Sequence, residues 1–82
     1  PSGTETWYKD GAFHRDDGPA IIYTNGCQFW YKEGELHRDD GPAAIYPDGT
    51  KRWFLNGEEY LFRRWIEKIS DKAKISFLFF HI

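Results

Sequence analysis

Seven residues that include several chemically active side chains, His-Arg-Asp-Asp-Gly-Pro-Ala, occur twice in this chain, at 14–20 and at 37–43. Each copy offers an imidazole, a guanidinium and two carboxylates in four consecutive positions. A histidine beside a carboxylate can act as a general base, and the same groups can bind a metal ion. A structural turn that is built twice would give the same pattern. Three interpretations therefore compete: metal binding, catalysis and architecture.

Metal binding requires three or four His, Cys or carboxylate ligands that converge on one point. His14 and His37 are expected to stack on neighbouring repeats, roughly 10 Å apart, because strands are spaced by about 4.8 Å. Cys27 lies at the opposite end of the repeat unit from either histidine. Calcium is disfavoured too, since Arg15 and Arg38 neutralise the nearby carboxylates and the chain has no twelve-residue calcium loop. The sequence predicts no metal and no cofactor.

Catalysis is disfavoured by the surroundings of the two histidines. They have no Ser or Cys nucleophile nearby, and the chain has no glycine-rich loop that would bind phosphate. An active site is one asymmetric arrangement of groups, whereas this chain carries two equivalent arrangements. The sequence therefore predicts that the protein is not an enzyme. A hydrolase that uses His14 or His37 is kept as a distant alternative.

The architectural interpretation explains why the stretch is duplicated. Asp16 and Asp39 are predicted to accept backbone N–H bonds in a turn, and Gly18 and Gly41 to reverse the chain with a positive φ. The imidazole and guanidinium would then tie one repeat to the next by hydrogen bonds and stacking. We interpret the following residues as structural turns: Asp16, Asp17, Gly18, Pro19, Asp39, Asp40, Gly41 and Pro42.

The duplicated stretch belongs to a longer repeat with a period of 23 residues, the interval from His14 to His37. The same interval separates the successive members of four sets: Trp7, Trp30 and Trp53; Tyr8, Tyr31 and Phe54; Gly11, Gly34 and Gly57; and Gly3, Gly26 and Gly49. A fixed period of this length indicates stacked supersecondary units. The third copy is incomplete, because Tyr60-Leu61-Phe62 stands where His-Arg-Asp is expected.

Turn signals divide each copy into short strands. They are Asp10-Gly11, Asn25-Gly26, Glu33-Gly34, Asp48-Gly49 and Asn56-Gly57. Asn-Gly and Asp-Gly favour hairpin turns in which both central residues have positive φ. The spacing leaves room for strands of five or six residues, such as Cys27–Lys32. The predicted fold is mainly β, an antiparallel meander of hairpin repeats.

These residues resemble the MORN-type repeat. Asp10-Gly11, His14, Gly18, Tyr23 and Asn25-Gly26 follow the order of its repeat unit, and residues 33–49 repeat that order. The motif Trp-Tyr-x-x-Gly-x-x-His-Arg-x-Asp-Gly-Pro-Ala is more similar still to a variant of this repeat found in small bacterial and phage-encoded proteins. The resemblance covers residues 3–57, about two and a half repeats, and implies a repeat scaffold that serves as a binding surface. The lipid binding proposed for the family is not carried over, because the chain departs from its pattern at Arg15-Asp16-Asp17, Thr6, Phe29 and Arg52.

Aromatic residues recur on both faces of the predicted sheet. Because successive residues of a strand face opposite sides, Trp7, Trp30 and Trp53 are predicted to form one stripe. Tyr8, Tyr31 and Phe54 are predicted to line the other face. The tryptophan stripe is interpreted either as core or as an exposed surface for a protein partner or for stacking on glycans.

The C-terminal part is predicted to close the array. Residues 58–73 are predicted to form a capping helix, whose buried face would carry Leu61, Trp65 and Ile69, with Phe62 and Ile66 beside them. Arg63, Arg64, Glu67 and Lys68 would face water, and Asn56 followed by Glu59 resembles a capping box. Residues 74–82 are predicted to form an apolar tail that, as a strand, is apolar on both faces. Its burial is expected to involve a second chain, either another copy in a homodimer or the biological partner. The alternative is that the tail folds back as a fully buried strand within the monomer.

Composition narrows the functional classes. The 82 residues suit one domain, and a formal net charge of −2 argues against binding nucleic acid or an anionic membrane. A single cysteine excludes an internal disulfide framework and fits a reducing compartment, so a cytoplasmic, intracellular location is predicted.

The predicted function is a non-enzymatic protein–protein interaction module. The resemblance implies a bacterial or phage accessory protein that inhibits or adapts a host enzyme. The alternative is a carbohydrate-binding module that uses the tryptophan stripe. The candidate partner-binding residues are Trp7, Trp30, Trp53, Phe77, Phe79 and Phe80.

Overall fold

The computed structural model describes residues 3–75. In that range the strands are β1 Glu5–Thr6, β2 Tyr8–Lys9, β3 Ala12–Phe13, β4 Ile21–Ile22, β5 Gln28–Phe29, β6 Tyr31–Lys32, β7 Glu35–Leu36, β8 Ala44–Ile45, β9 Lys51–Leu55 and β10 Glu58–Tyr60. They are followed by one helix, α1 Phe62–Lys68, and residues 71–75 are helical as well. Most strands are only two residues long, because the chain changes partners at short intervals.

Six of these strands form one antiparallel sheet in the order β1-β4-β5-β8-β9-β10. The register places Ile21 opposite Phe29, Phe29 opposite Ala44, and Ala44 opposite Arg52. Two hairpins, β2–β3 and β6–β7, branch off between β1 and β4 and between β5 and β8. The prediction of a mainly β, antiparallel fold is confirmed.

Trp7 and Trp30 mark the points where the chain leaves this sheet and enters a hairpin. The Trp7 N–H donates to the carbonyl of Ala20 at 2.8 Å, whereas the Trp7 carbonyl accepts from the His14 N–H at 3.0 Å. One residue thus serves two sheets, and Trp30 does the same one repeat later. The predicted continuous strand Cys27–Lys32 is therefore wrong, because it is divided into β5 and β6 at Trp30.

The turns are of two kinds. Both residues have positive φ at Asp10-Gly11, Glu33-Gly34 and Asn56-Gly57, as predicted for tight hairpins. At Asn25-Gly26 and Asp48-Gly49 only the glycine has positive φ, so the prediction is wrong for the first residue of each. There the side chain of Asn25 accepts the Cys27 N–H at 3.0 Å, and that of Asp48 accepts the Thr50 N–H at 2.9 Å. That bond holds the turn without a left-handed Asn or Asp.

The core of the described residues contains Ala20 and Ile21, buried on the first half of the sheet, and two clusters farther along the chain. Ala43, Ala44 and Phe54 are buried at the centre of the sheet, with Phe29 and Leu36 packed against them. Trp65 and Ile69 form the second cluster, where α1 packs against β9 and β10 through residues that include Trp53, Leu55 and Tyr60. The helix therefore covers the C-terminal end of the sheet.

The capping helix begins later than predicted. Residues 58–60 form β10, which pairs with β9 in the register Glu58–Leu55, Glu59–Phe54 and Tyr60–Trp53. Asn56 and Glu59 consequently belong to a hairpin and form no capping box. Leu61 occupies the N-cap position without a side-chain hydrogen bond, and α1 runs only from Phe62 to Lys68.

The predicted faces of the helix are only partly correct. Trp65 and Ile69 are buried, and Arg63, Arg64, Glu67 and Lys68 are exposed, as predicted. The prediction that Leu61 lies on the buried face is wrong, since Leu61 is 67% exposed because it precedes the first helical turn. Its neighbour Phe62 is 42% exposed.

The chain after α1 also departs from the prediction where it is described. Residues 71–75 are helical, so a strand beginning at Lys74 is wrong for residues 74 and 75. The physical reason is Ser70, whose Oγ accepts the Ala73 N–H at 3.1 Å and thereby starts a new helical turn. The candidate residues Phe77, Phe79 and Phe80 lie outside the described residues. Between residues 3 and 75, no helix is long and apolar enough to cross a membrane.

Candidate functional site

The arginines of the two His-Arg-Asp-Asp-Gly-Pro-Ala loops fold back over tryptophans of their own repeats. The Arg15 guanidinium carbon lies 3.9 Å from the centre of the Trp7 ring, and that of Arg38 lies 4.0 Å from the Trp30 ring. In each loop the Nη1 atom donates to the proline carbonyl, at 3.2 Å for Pro19 and 3.0 Å for Pro42. These contacts fix the guanidinium on the indole, where cation–π attraction is favourable.

Asp17 and Asp40 hold the two arginine side chains, and Asp16 contacts a histidine; none of them closes the turn through a backbone N–H. Arg15 Nε donates to Asp17 at 3.0 Å, and Arg38 Nε donates to Asp40 at 2.7 Å. Asp16 accepts from the His14 imidazole at 2.9 Å, so the predicted backbone N–H bond to Asp16 is wrong. Asp39 has no hydrogen-bond partner among residues 3–75, which also contradicts its predicted role. All four carboxylates are exposed: Asp16, Asp17, Asp39 and Asp40.

Gly18 and Gly41 are needed for a reason other than the predicted one. Neither has a positive φ. A Cβ atom at Gly18 would lie 3.0 Å from the Arg15 guanidinium carbon, and one at Gly41 would lie 2.6 Å from that of Arg38. The prediction of a left-handed turn is therefore wrong at both positions. The glycines leave the space that the guanidinium occupies.

The two histidines join successive repeats, as predicted. His14 Nδ1 accepts the backbone N–H of Glu33 at 3.0 Å, and His37 Nδ1 accepts that of Asn56 at 2.9 Å. Because Nδ1 accepts in both bonds, each neutral imidazole carries its proton on Nε2. In His14 both nitrogens are engaged, since Nε2 lies 2.9 Å from Asp16. The His14 imidazole thus links the turn of the second hairpin to Asp16 of its own loop.

Backbone hydrogen bonds complete the connection between repeats. The Gly34 N–H donates to Phe13 at 2.9 Å, and the Gly57 N–H donates to Leu36 at 2.8 Å. The Arg15 and Arg38 N–H groups donate in the other direction, each at 3.2 Å, to Tyr31 and Phe54 respectively. In each of these pairs of bonds, donor and acceptor both shift by one repeat along the chain. The sequence period is therefore also the period of the hydrogen bonding.

The third tryptophan is covered differently from the first two. Trp53 has no arginine at the equivalent position, and the rings of Phe62 and Trp65 lie 4.9 and 4.6 Å from it. Trp65 is fully buried, and its Nε1–H donates to the Arg38 carbonyl at 2.9 Å. All three stripe tryptophans are half-buried, so the stripe is neither a sealed core nor a free aromatic surface.

An apolar groove of about 470 Å³ lies between the second and third repeats. Its apolar lining comes from Trp30, Pro42, Ile45, Trp53 and Phe62, and two cations, Arg38 and Lys51, also line it. The half-exposed Phe62 joins the groove to the neighbouring Leu61. Sequence reasoning identified Trp30 and Trp53 but missed Phe62 as a surface residue. The signal was present in the third copy, where apolar residues replace His-Arg-Asp.

A second cleft of about 330 Å³ separates the two loops. Its lining includes Lys32 and His37 besides the charged residues of both loops: Arg15, Asp16, Asp17, Arg38, Asp39 and Asp40. Over residues 3–75, no three His, Cys, Asp or Glu side chains lie close enough together to hold a metal ion. Arginine–carboxylate pairs dominate this cleft, and they hold the loops in shape.

The opposite side of the hairpins carries an aromatic column. Tyr8 stacks on Phe13 with ring centres 4.7 Å apart, and Phe13 contacts Tyr31 at 5.3 Å. Burial raises the pKa of Tyr31, and the nearby Tyr23 raises it further. Exposure falls along the array, from 60% at Tyr8 to 9% at the equivalent Phe54.

Comparison with known proteins found no protein that is similar to this chain. No protein-family model matches the chain, and neither the curated proteins nor the solved structures give a significant match.

Proposed function

We propose that this chain is a MORN-like repeat module that binds a protein partner through the groove between Trp30, Trp53 and Phe62 and catalyses no reaction. The observation that carries the proposal is the position of this groove beside the exposed Leu61 and Phe62. A concave apolar surface next to two exposed large apolar side chains is the kind of surface that buries a partner's side chain.

The repeat assignment is supported by the shared period of the sequence and of the hydrogen bonds. It is also supported by the repeated histidine link between successive hairpins. Within the groove, Arg38 is held by its contact with Trp30 and by its hydrogen bond to the Pro42 carbonyl. A surface that is already ordered loses less conformational entropy on binding, which favours affinity.

The lining of the groove defines the chemistry of the partner. Aromatic and aliphatic carbon would interact with a bulky apolar side chain, and a nearby carboxylate would interact with Lys51. Lys51 has no ion-pair partner among the described residues, so its charge is available. We therefore expect a partner segment in which an aromatic or aliphatic residue lies close to Asp or Glu.

In its finer form, the proposal places the module in the cytoplasm as a bacterial or phage accessory protein that inhibits or adapts a host enzyme. Inhibition by surface contact requires no catalytic group. This agrees with the structural use of both histidines, whose Nδ1 atoms are occupied by backbone N–H groups. This finer proposal also rests on the resemblance of the repeat motif to that of small bacterial and phage-encoded proteins.

Glycan binding through the tryptophan stripe has less support. Stacking on a sugar requires an accessible indole face. Arg15 and Arg38 already cover one face of Trp7 and Trp30, and α1 contacts Trp53. A protein partner, by contrast, can use the edge of Trp30 together with Phe62.

The test is affinity capture from the native host with Phe62→Ser against a matched control, Tyr23→Ser. Phe62 and Tyr23 are 42% and 43% exposed, so the two substitutions remove similar amounts of exposed aromatic surface. We expect Phe62→Ser to lose the protein captured by the wild type and Tyr23→Ser to keep it, with both variants folded by circular dichroism. Retention of the same protein by Phe62→Ser would contradict the proposed site. A saturable quench of tryptophan fluorescence by a sugar would favour the glycan alternative.

Homodimer formation through residues 74–82 stays a prediction. Light scattering should then report a dimer for the full chain and a monomer for a chain that ends at Ile75. The shortened chain keeps Ala73, which packs against Trp65 and Ile69. A monomeric full-length chain at high concentration would contradict the prediction.

A further inference from the structure

Two junctions, one between the first and second repeats and one between the second and third, each contain a hydrogen bond that only a neutral histidine can accept. At the first junction the Glu33 N–H donates to His14 Nδ1 at 3.0 Å, and at the second the Asn56 N–H donates to His37 Nδ1 at 2.9 Å. In the imidazolium both ring nitrogens carry a proton and neither can accept. Protonation of a histidine and its junction bond therefore exclude each other.

The two turn N–H groups have no second acceptor in the part of the chain that the structure describes. Glu33 and Asn56 begin tight turns, with φ of 50° and 51°, and these turns fix the direction of each N–H. A protonated ring would oppose this N–H with an N–H of its own, so the ring or the turn must move. Histidine is the side chain whose charge changes between about pH 5 and 8. Mild acid is therefore expected to break these bonds.

Loss of the histidine bond loosens a junction without separating its two repeats. At the first junction two backbone bonds remain that protonation of the ring does not affect. The Gly34 N–H donates to Phe13 at 2.9 Å, and the Arg15 N–H donates to Tyr31 at 3.2 Å. The rings of Phe13 and Tyr31 also contact each other across this junction, with centres 5.3 Å apart. The expected change is a local opening at the Glu33 turn, with the six-stranded sheet intact.

The charged groups that face the two imidazoles are similarly balanced at the two junctions. His14 lines a cleft of about 500 Å³ together with Lys9, Asp10, Asp16, Lys32 and Glu33. His37 lines the cleft between the two loops together with Arg15, Asp16, Asp17, Lys32, Arg38, Asp39 and Asp40. Near the third turn, Glu35 lies 3.5 Å from where a Cβ atom at Gly57 would be. Each cleft lining has one carboxylate more than it has cations, and both histidines are partly buried. These surroundings alone do not distinguish the two histidines.

A direct contact on the other ring nitrogen does distinguish them. His14 Nε2 lies 2.9 Å from Asp16, whereas neither His37 Nε2 nor the equivalent Asp39 has a hydrogen-bond partner among the described residues. In the neutral ring Nε2 donates to the carboxylate, and in the imidazolium the same bond becomes an ion pair, which is the stronger interaction. Asp16 therefore favours the form of His14 that cannot accept the Glu33 N–H. His37 receives no such support.

We propose that the first junction is a proton-sensitive latch. Asp16 promotes protonation of His14, and the protonated ring releases the Glu33 turn at a higher pH than that at which His37 releases Asn56. The first repeat is thereby loosened from the second while the second junction stays closed. The groove between Trp30 and Trp53 lies at the second junction, so this inference is independent of the function proposed above.

A pH titration of the ¹⁵N-labelled full chain by NMR tests the latch between about pH 7.5 and about pH 5.5, within the range in which histidine titrates. Imidazole ¹⁵N shifts report the protonation of each histidine, and amide spectra report the Glu33 and Asn56 N–H groups. We expect the Glu33 amide to shift together with protonation of His14, and the Asn56 amide to shift at a lower pH. Protection of the Glu33 amide from exchange, relative to an unstructured peptide at the same pH, should fall about fivefold, the effect of one lost hydrogen bond.

The amide of the buried Ala44, in the centre of the sheet, should keep its shift over this pH range. A Glu33 amide that does not respond while His14 becomes protonated would overturn the proposal. An Asn56 amide that responds at the same pH or a higher one would overturn it too. Joint loss of the Glu33 and Ala44 signals would also count against it, because the change would then be global unfolding.

Two matched variants test the role of the carboxylate. Asp16→Asn and Asp39→Asn remove the same charge from equivalent positions of the two copies. Asp16→Asn should move the Glu33 transition to lower pH, whereas Asp39→Asn should move the Asn56 transition less, because Asp39 has no bond to His37. Equal displacement of the two transitions would show that only the overall charge matters, and would overturn the assignment of Asp16.

Discussion

Gly41→Ala should destabilise the protein because it displaces the Arg38 guanidinium. The new Cβ would lie 2.6 Å from the guanidinium carbon and 2.9 Å from both terminal nitrogens, closer than atoms of these types approach. The Gly41 backbone has no positive φ, so alanine fits its conformation. The side chain of Arg38 is therefore what must move.

The size of the effect follows from what the guanidinium gives up. Moving it weakens the contact with Trp30, where it lies 4.0 Å from the ring centre, and the 3.0 Å bond to the Pro42 carbonyl. A partly exposed cation–π contact contributes about 0.5–1 kcal/mol and a typical hydrogen bond about as much. The exposed ion pair with Asp40 adds little. We expect the free energy of unfolding to fall by about 1–2 kcal/mol, which corresponds to a decrease of about 4–16 °C in Tm for a domain of this size.

A double-mutant cycle separates this explanation from backbone strain. Urea denaturation would compare Gly41→Ala in the wild-type chain with Gly41→Ala in an Arg38→Ala chain. Without the guanidinium, the alanine should be neutral or stabilise by about 0.4–1 kcal/mol, because it restricts the unfolded chain. Gly18→Ala should cost less than Gly41→Ala, since its Cβ would lie 3.0 Å from Arg15. An equal loss in both Arg38 backgrounds would refute the reasoning.

Three further predictions concern the links between elements. His37→Ala should lower the free energy of unfolding by about 1 kcal/mol in urea denaturation. His37→Asn keeps an acceptor near the Nδ1 position and should recover much of that stability. Equal destabilisation by the two substitutions would contradict the link. Trp65→Phe should lower the free energy of unfolding by about 2 kcal/mol, because it leaves a void and removes the hydrogen bond to the Arg38 carbonyl. Leu61→Ala, at an exposed site, should change the same free energy by no more than about 0.5 kcal/mol in thermal unfolding. Two hydrogen bonds from Arg52 lower the pKa of Glu59. The pair therefore stabilises the fold above the unfolded-state pKa of about 4.3 and is lost as the pH falls through the lower folded value. Glu59→Gln should flatten this part of the Tm–pH curve, and an unchanged curve would contradict the assignment.

Much of the fold could be predicted from the sequence because its strongest signals are local and repeated. Asp10-Gly11 and Asn56-Gly57 specify tight hairpins by backbone chemistry alone, and φ is positive at all four residues. The fixed period of the sequence then implies that what one repeat does, the next does also. The histidine link was predictable for the same reason, because a polar group repeated at that interval can bind the equivalent backbone group of each following repeat.

The errors arise where one residue serves two elements or where a side chain decides a backbone choice. No local pattern indicates that Trp30 gives its N–H to one strand and its carbonyl to another. The local pattern Asp-Asp-Gly-Pro predicts a left-handed turn at Gly41, but the long-range fit of Arg38 on Trp30 determines the role of that glycine. Glu58–Tyr60 has helical periodicity with the residues after it, yet the turn at Asn56-Gly57 makes it a strand first. Tertiary pairing overrides propensity in each case.

The two ends of the array differ because the third copy changes the chemistry that holds each repeat to the next. In the first two copies the arginine that covers the tryptophan belongs to the same stretch as the histidine that binds the following turn. Replacing that stretch by Tyr60-Leu61-Phe62 removes both groups at once, and Trp65 then covers Trp53 from the helix. The C-terminal end of the array is thereby covered by α1, and Phe62 of the replaced stretch lines the apolar groove between the second and third repeats. The turn of the first hairpin, at Asp10-Gly11, keeps the φ values of the two later turns, so the change of chemistry is confined to the third copy.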